Sequence, residues 1–571
     1  MSHNSEVEAM SELLAALSAI FITAGVLLLV ANRLGLPTVP FYIIAGFAAG
    51  AFIEDVDVLL ELAQWGIAFL VFVFGVGIDL EKVSSVFRDS ELVASTQLLV
   101  LGPLGFGVGL LLGFDPLNAI YFAAAASLSS TLVGTGLLEV EIRDNLVHGR
   151  LAKSIHLLDD FLAIALVLVL SATALTADAV AAKIGYGVVV VLAALIIQRH
   201  FFEYLIRFAG GSQELLMIGA ISLLIGFLTL SDVLGISPVI GAFAAGLAIR
   251  RDATRTLGML NGIRSITDFF VVIFFVTLGA LVAVPTLRTV LTAAVLVVLT
   301  AMVKPVITAM TLLWEGYDVR TATLTSASLD QISEFALIIA IQALLIERIA
   351  PELFDAIILA AALTMVTSSL TRRYDEWIFT NVTGPLIGER QTRKIDEQSN
   401  VPDDPSDHVV ILGYGRIGRR LADACEEAGQ EYIVIENDPA MRPALHRGAE
   451  RFVVGDGMYE YVWRIAGIDE ARLVISTVDQ RRVSDRILEL EPDAEVVLRS
   501  ANPDEAVTLR EAGASFVIVP DLLAAERLES LLGDLLDDRI DRETLRTRHA
   551  AELEAMNEQG WRSRDDRDAP V

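Results

Sequence analysis

Up to Arg373 the chain is a succession of apolar runs separated by short polar turns; beyond it the apolar residues shrink to runs of four or five between charged stretches. Runs long enough to span a bilayer, or to span it with a break, fall near 13–31, 38–53, 61–78, 92–112, 117–137, 154–174, 184–198, 214–230, 237–249, 269–284, 290–313, 322–345 and 353–370. These thirteen segments predict a polytopic α-helical membrane domain over 1–373. Glu389–Asp407, polar and holding Pro402 and Pro405, reads as linker, so 374–407 is assigned to the connection. Short β-rich runs then recur at 409–412, 432–436, 451–454, 472–475, 495–499 and 516–519, with helical crossovers between them. That alternation predicts a parallel-sheet, Rossmann-like α/β domain over 408–530, followed by a charged helix or tail over 531–571.

An odd number of spans puts the two termini on opposite sides. With the N-terminus outside, the inner loops hold fifteen Lys and Arg and the outer loops only Lys183, Arg288 and Arg348. The positive-inside rule therefore predicts a cytoplasmic C-terminal domain. The start of the chain shows no basic n-region or cleavage site, so Leu13–Val30 reads as a retained span. Composition agrees with a membrane protein, at 54% apolar over 571 residues. Net charge is −29, with 19 Lys and Arg against 30 Asp and Glu up to Arg373 and 24 against 42 after it. Such an acidic excess argues against a nucleic-acid partner and is similar to proteins of salt-loaded, halophilic cytoplasms. One cysteine, Cys425, leaves no intrachain disulfide and no Cys-based structural metal site.

Ionisable residues inside the apolar runs carry the chemistry. Asp159 and Asp160 open the run Phe161–Leu170 in the sixth segment, and Lys304 interrupts the eleventh. A charge near the bilayer centre costs at least about 2.5 kcal/mol, so these three mark an ion or proton site. The fifth segment contains Ser127-Leu-Ser-Ser-Thr-Leu-Val-Gly-Thr-Gly136, and the twelfth contains Ser326-Ala-Ser-Leu-Asp-Gln-Ile-Ser-Glu-Phe335. Glycines and hydroxyls at this depth suit the broken helices of transporters built from inverted repeats, whose freed backbone groups line an ion site. Asp330 and Glu334 are spaced i, i+4, as if on one helix face. His156 reads as a satisfied interior histidine, with a proton relay as the alternative.

Leu128-Ser-Ser-Thr131, the acid pair, Lys304, Gln331-Ile-Ser-Glu-Phe335 and Gly241-Ala-Phe-Ala-Ala-Gly246 occur in an order that resembles the monovalent cation:proton antiporter-2 family. The resemblance covers nearly the whole chain. It implies thirteen helices arranged as a dimerisation domain and a mobile core, with the fifth and twelfth spans unwound and crossed beside the acids. It further implies that Asp160 binds the transported cation and the proton in turn, and that Asp159 pairs with Lys304 when the cation is absent. Ser129, Ser130, Thr131, Gln331, Ser333 and Glu334 are the other expected site residues. The Asp159-Asp160 form looks like sodium/proton exchangers, where the Kef-type potassium branch has Gln-Asp. The basic loop Arg250–Arg264 also departs from the acidic stretch of glutathione-gated Kef systems.

In the second half, Val409–Leu412 is followed at once by Gly413-Tyr-Gly-Arg-Ile-Gly418 and then by an amphipathic helical run. Glu436, 23 residues after Gly413, ends the next strand. In this context the pattern is a dinucleotide-binding fingerprint: Gly413, Gly415 and Gly418, with Arg416 and Ile417 between them, admit a pyrophosphate, and Glu436 accepts ribose hydroxyls. The half resembles the regulator-of-conductance (TrkA-N-like) domain, which implies that Asp456, Ser476 and Thr477 line the adenine and ribose pocket. NAD(H), AMP and ADP or ATP remain open as the ligand. Leu522–Gln559 looks like the crossover helix on which such domains dimerise.

With no hydride-transfer constellation, the chain does not read as an enzyme. The sequence points to a homodimeric plasma-membrane antiporter exchanging Na⁺, preferred over K⁺, for H⁺, with an adenine nucleotide as regulator. A Kef-type K⁺/H⁺ system, a channel and a membrane-anchored nucleotide sensor are the alternatives.

Overall fold

The computed structural model describes residues 2–50, 56–78, 80–143, 146–170, 176–210, 212–250, 257–387, 395–396, 399–401, 405–438, 441–537, 540–541, 543–547 and 549–551. The chain divides into two compact units, Met1–Arg390 and Gln391–Val571.

In the first unit the helices are α1 (Ser2–Leu34), α2 (Thr38–Gly50), α3 (Val56–Gly77), α4 (Leu80–Leu111), α5 (Pro116–Ser127), α6 (Thr131–Leu137), α7 (Glu139–Arg143) and α8 (Val147–Leu170). They continue as α9 (Ala177–Ile196), α10 (Phe202–Ala209), α11 (Gln213–Val233), α12 (Pro238–Leu247), α13 (Leu257–Ala280), α14 (Leu287–Val298), α15 (Lys304–Glu315), α16 (Val319–Ala327), α17 (Glu334–Leu345), α18 (Pro351–Arg373), α19 (Asp375–Ile378) and α20 (Gly384–Ile387). Among the described residues nine helical stretches are long and apolar enough to cross a membrane, and α2, α12 and α17 are shorter apolar helices. The helix bearing the acid pair, α8, runs for 24 residues, starting seven positions before the expected segment. Its polar first turns, with His148 and Ser154 buried, extend the helix beyond the apolar run.

Two groups of helices are closely packed, and they touch where α2 meets α18 and α12 meets α8. In one, α13 lies against α2 and α3, and α3 against α12. Glycine makes this approach possible: a Cβ on Gly246 would stand 2.8 Å from the Gly75 Cα, so α3 and α12 meet backbone to backbone. In the other group α4 packs on α5 and α8, α15 on α16, and α14 on α18. Leu29, Val189, Phe208 and Leu111 leave large apolar side chains exposed on α1, α9, α10 and α4, as lipid-facing surfaces require.

The fifth and twelfth segments are broken where the sequence places serines. Helix α5 ends at Ser127 and α6 starts at Thr131; α16 ends at Ala327 and α17 starts at Glu334. Each restart is capped by the serine before it. Ser130 Oγ accepts the Val133 amide at 3.3 Å, and Ser333 Oγ accepts the Phe335 amide at 3.0 Å. The eleventh segment is distorted too: a π turn, Leu299–Val303, separates α14 from α15. Pro305 has no amide for the Ala301 carbonyl, and the wide turn absorbs that loss just before Lys304. The residues after α18 do not start as linker. Asp375–Ile387 is helical apart from a π turn at Phe379–Thr383, and it packs on α16, where Thr323 and Thr383 hydroxyls stand 2.8 Å apart.

The second unit is built on six parallel strands, β1 (His408–Leu412), β2 (Tyr432–Glu436), β3 (Phe452–Val454), β4 (Ala471–Ser476), β5 (Glu495–Arg499) and β6 (Phe516–Ile518). Their order is β3-β2-β1-β4-β5-β6, all neighbours parallel. Every residue of β1 and β2 is buried, because alternate side chains feed two cores: Val410, Leu412 and Ile433 on one face, Val409, Ile411 and Val434 on the other. Helix Pro520–Leu536 carries this unit across the expected 530/531 boundary. The tail from Glu552 on, the loop 251–256 and most of 388–404 lie outside the described residues.

Candidate functional site

Three elements converge on the acid pair: α8 and the two breaks. Asp159 and Asp160 lie in the middle of α8, both buried. Asp159 Oδ2 accepts the backbone amide of Ser129, 3.1 Å away in the first break. Asp160 Oδ2 accepts the Thr131 hydroxyl at 2.6 Å, while its Oδ1 is buried without a hydrogen-bond partner. Across the two breaks, Leu132 N donates to Glu334 Oε1 at 3.1 Å, and Glu334 Oε2 is likewise buried and unpartnered. Asp160 lies within the electrostatic reach of Glu334 and Asp159. The site therefore holds free carboxylate oxygens from two helices.

Lys304 is fully buried, and its ammonium donates to one carbonyl from each break, Leu128 O and Gln331 O, both at 3.1 Å. These carbonyls are free because the helices stop there. The expected Lys304–Asp159 contact pair is not what this structure holds: among the described residues no ion pair joins them, and they interact at longer range. Lys304 spends two of its three N–H bonds on the freed carbonyls, and Asp159 takes an amide instead.

The remaining expected residues join the breaks. Gln331 Nε2 donates to Ser130 O at 3.0 Å and Ser328 O at 3.1 Å, and its Oε1 accepts the Ser368 hydroxyl. Ser129 Oγ donates to Leu329 O at 3.3 Å. Ser130 and Ser333 act as helix caps, as described above. His156 is buried beneath α6: a side chain on Gly134 would meet the His156 ring and Gln331 Nε2. The i, i+4 relation of Asp330 and Glu334 is not realised, because residues 328–333 are unwound. Glu334 opens α17 and faces α6, whereas Asp330 faces Ser368 and Thr371 of α18.

Helix α18 supplies partners that the sequence reading does not include. Thr364 Oγ1 accepts the Ile332 amide at 3.2 Å, and Ser368 holds Gln331. Hydroxyls at 364, 368 and 371 lie at i, i+4 and i+7 on one face of α18, with Thr367 and Ser369 also between them. At the end of α18, Arg372 ion-pairs with both Glu141 of α7 and Asp375, and Arg320 of α16 ion-pairs with Glu376.

In the second unit the glycine-rich turn joins β1 to helix Arg416–Ala428 at the carboxyl edge of the sheet. Gly413 has φ +91°, and a Cβ on Gly418 would meet the Gly413 carbonyl group, its carbon 2.9 Å away. Gly415 faces open space, and as N-cap it offers no side chain to the helix amides. A helix N-terminus with no side-chain cap suits an anion. Glu436 Oε2 accepts the Tyr414 amide at 2.7 Å and Oε1 the Asp438 amide at 2.9 Å, so it holds the turn in shape. Thr477 Oγ1 donates to Leu412 O at 2.9 Å, and Asp456 Oδ1 accepts the Met458 amide. Arg416 and Ile417 start the helix; Ser476 ends β4. These groups fit a nucleotide: the turn offers a cradle at an uncapped helix N-terminus, and carboxylates stand at the ends of the neighbouring strands.

Residues 17–373 match the family described as "Sodium/hydrogen exchanger, transmembrane", and residues 409–520 match "TrkA-N domain". The "Putative cation/proton antiporter YbaL" of Escherichia coli (strain K12) is 25% identical over 538 residues, covering 90% of this chain and 95% of that protein. Among solved structures, the TrkA-N domain of inner membrane protein ybaL from Escherichia coli is 25% identical, covering 23% of this chain and 98% of that one at a TM-score of 0.22. The sodium proton antiporter MjNhaP1 from Methanocaldococcus jannaschii is 17% identical, covering 65% of this chain and all of that one at a TM-score of 0.47. The chain belongs to the sodium/hydrogen exchanger family, as a cation/proton antiporter that carries a TrkA-N domain.

Proposed function

We propose that this chain exchanges Na⁺ for H⁺ across the plasma membrane by alternating access, with Asp160 as the group that cation and proton occupy in turn. The observation that supports this is the pair of buried, unpartnered carboxylate oxygens, Asp160 Oδ1 and Glu334 Oε2. A bare carboxylate in such surroundings must be neutralised, and either a proton or a monovalent cation does so. Thr131, already bonded to Asp160, adds a hydroxyl oxygen to the cation's shell. Lys304 carries the compensating charge when the cation leaves, held in place by the two breaks. K⁺ in place of Na⁺ is the second reading, since carboxylate and hydroxyl oxygens receive either ion.

The test is proton flux in sealed proteoliposomes with an internal pH dye, on adding Na⁺, K⁺ or Li⁺. A cation-dependent pH change that is lost in Asp160→Asn supports exchange, and the most effective ion identifies the substrate. An unchanged response in Asp160→Asn overturns the assignment.

The nucleotide part of the reading is an adenine nucleotide, NAD(H) or AMP, ADP or ATP, with its phosphates at Gly413–Gly418 and its ribose near Glu436. It regulates transport through differential affinity for the two facings of a homodimer. Variants cross-linked inward and outward are expected to bind it unequally. Equal affinity removes the regulatory claim.

A further inference from the structure

Exchange at Asp160 leaves one buried acid without a role. Asp330 lies in the second break with no exposed surface. The hydroxyls of Ser368 and Thr371 are close enough to act on its carboxyl, but their protons go to Gln331 Oε1 and to the Thr367 carbonyl. Neither Asp330 oxygen has a hydrogen bond of good geometry, and the only other donor beside it is its own backbone amide. An isolated buried carboxylate is among the costliest groups a protein can hold, so Asp330 requires a proton or a counter-charge.

The counter-charge within reach is Lys304. Its ammonium is bonded to the carbonyl of Gln331, the residue after Asp330, and Lys304 and Asp330 act on each other electrostatically. Asp159 also acts on Lys304, and Lys304 acts on His156. One lysine is thus shared by two carboxylates: Asp159, bonded to the Ser129 amide, and Asp330, near which stand its own amide and the Ser368 and Thr371 hydroxyls. On its other side Asp330 meets the hydroxyl face of α18, which ends one residue past Thr371 in the Arg372–Glu141–Asp375 cluster.

We propose that Asp330 is a proton-carrying group of the exchanger, taking up a proton from the α18 side and serving as the alternate counter-charge of Lys304. When a cation occupies Asp160 and weakens the hold of Asp159 on the ammonium, the Asp330 O–H bond breaks, its proton passes to water on the side from which the cation entered, and the ionised carboxylate balances Lys304. When the cation leaves, Lys304 returns to Asp159, and Asp330 gains an O–H bond to a proton delivered along the Ser368 and Thr371 hydroxyls. The proposal rests on the exchange reading, and its test separates the two.

The full chain is reconstituted as wild type, Asp330→Asn and Asp160→Asn, and two fluxes are measured. One is Na⁺-driven proton movement; the other is isotopic Na⁺/Na⁺ exchange at equal pH on both sides, which needs the cation site but no net proton step. Asp330→Asn is expected to lose most of the proton flux while Na⁺/Na⁺ exchange stays near wild type. Asp160→Asn is expected to lose both. Unchanged proton flux in Asp330→Asn overturns the proposal, and so does a parallel loss of both fluxes in a monodisperse protein. Should Asp330→Asn not fold, Asp330→Ser carries the same comparison, and Asp330→Glu, which restores a carboxyl, is expected to recover the proton flux. Asp160→Asn with both fluxes intact refutes exchange at Asp160 and leaves the Asp330 result to be read on its own.

Discussion

Replacing Lys304 by Met keeps a similar volume, so the effect falls on the ammonium's hydrogen bonds and on the charge it shares with Asp159 and Asp330. In the wild type the ammonium, fully buried, donates to Leu128 O and Gln331 O at 3.1 Å each. Hydrogen bonds from a charged donor contribute about 1.5–3 kcal/mol apiece, so losing two costs roughly 3–6 kcal/mol. Both carbonyls sit where a helix has stopped, and nothing in the chain replaces the donor. For a unit spanning Met1–Arg390, with an unfolding entropy of about 2.1 cal/mol/K per residue, that loss lowers Tm by about 4–7 °C. The measurement is melting of the purified protein in detergent, followed by tryptophan fluorescence. Lys304→Gln retains an amide donor and is expected to fall between. A Lys304→Met protein that melts within about 1 °C of wild type would show that the lysine does not hold the breaks together.

Arg372→Ala removes the cation paired with two buried carboxylates, Glu141 and Asp375, and is expected to destabilise by about 3–5 kcal/mol; Glu141→Gln in the same chain recovers part of it, and additive losses in thermal melts would rule out the cluster. Gly418→Ala forces a methyl against the Gly413 carbonyl, costs about 1–3 kcal/mol and weakens nucleotide binding; calorimetric titration with unchanged affinity would place the phosphate elsewhere. Glu431 accepts from both Arg451 amino groups, at 2.6 and 3.1 Å, and this contact holds its carboxyl below the usual range. A lowered folded-state value means that the stabilisation is present above the ordinary glutamate range and lost as pH falls through the folded value. Glu431→Gln is thus expected to melt slightly earlier than wild type at neutral pH and alike in acid; a gap that widens in acid refutes the pairing.

The residues legible in the sequence are those whose presence in their surroundings is costly. Asp159, Asp160 and Lys304 stand out because they interrupt apolar runs, and Gly413–Gly418 because it follows a strand at a fixed spacing from Glu436. What those groups touch is not legible. Lys304 bonds to carbonyls and Asp159 to an amide, and nearly every residue carries both. Asp330 and Glu334 look like a helical pair because spacing carries no sign of the unwinding between them. Thr364, Ser368 and Thr371 escape notice because hydroxyls in a span are ordinary and Thr367 and Ser369 stand among them, so only contacts made across the fold pick out this face. The helical start of the connection, Asp375–Ile387, depends on Arg320 and Thr323 some 60 positions away, which no local pattern reports.

The two breaks have a consequence for how such a site varies among proteins. Four contacts of the breaks are made by main-chain atoms, the Ser129 and Leu132 amides and the Leu128 and Gln331 carbonyls, so an alanine scan across 128–132 and 328–333 leaves these in place while it removes the side chains of Thr131, Asp330 and Gln331. Such a scan will score Leu128 and Leu132 as tolerant although the site depends on their backbone groups. Side chains at these two positions are free to drift as long as the helices stop and restart at the same height. An insertion or deletion of one residue in either break, which rotates the next helix by about 100°, is the change that selection should remove first.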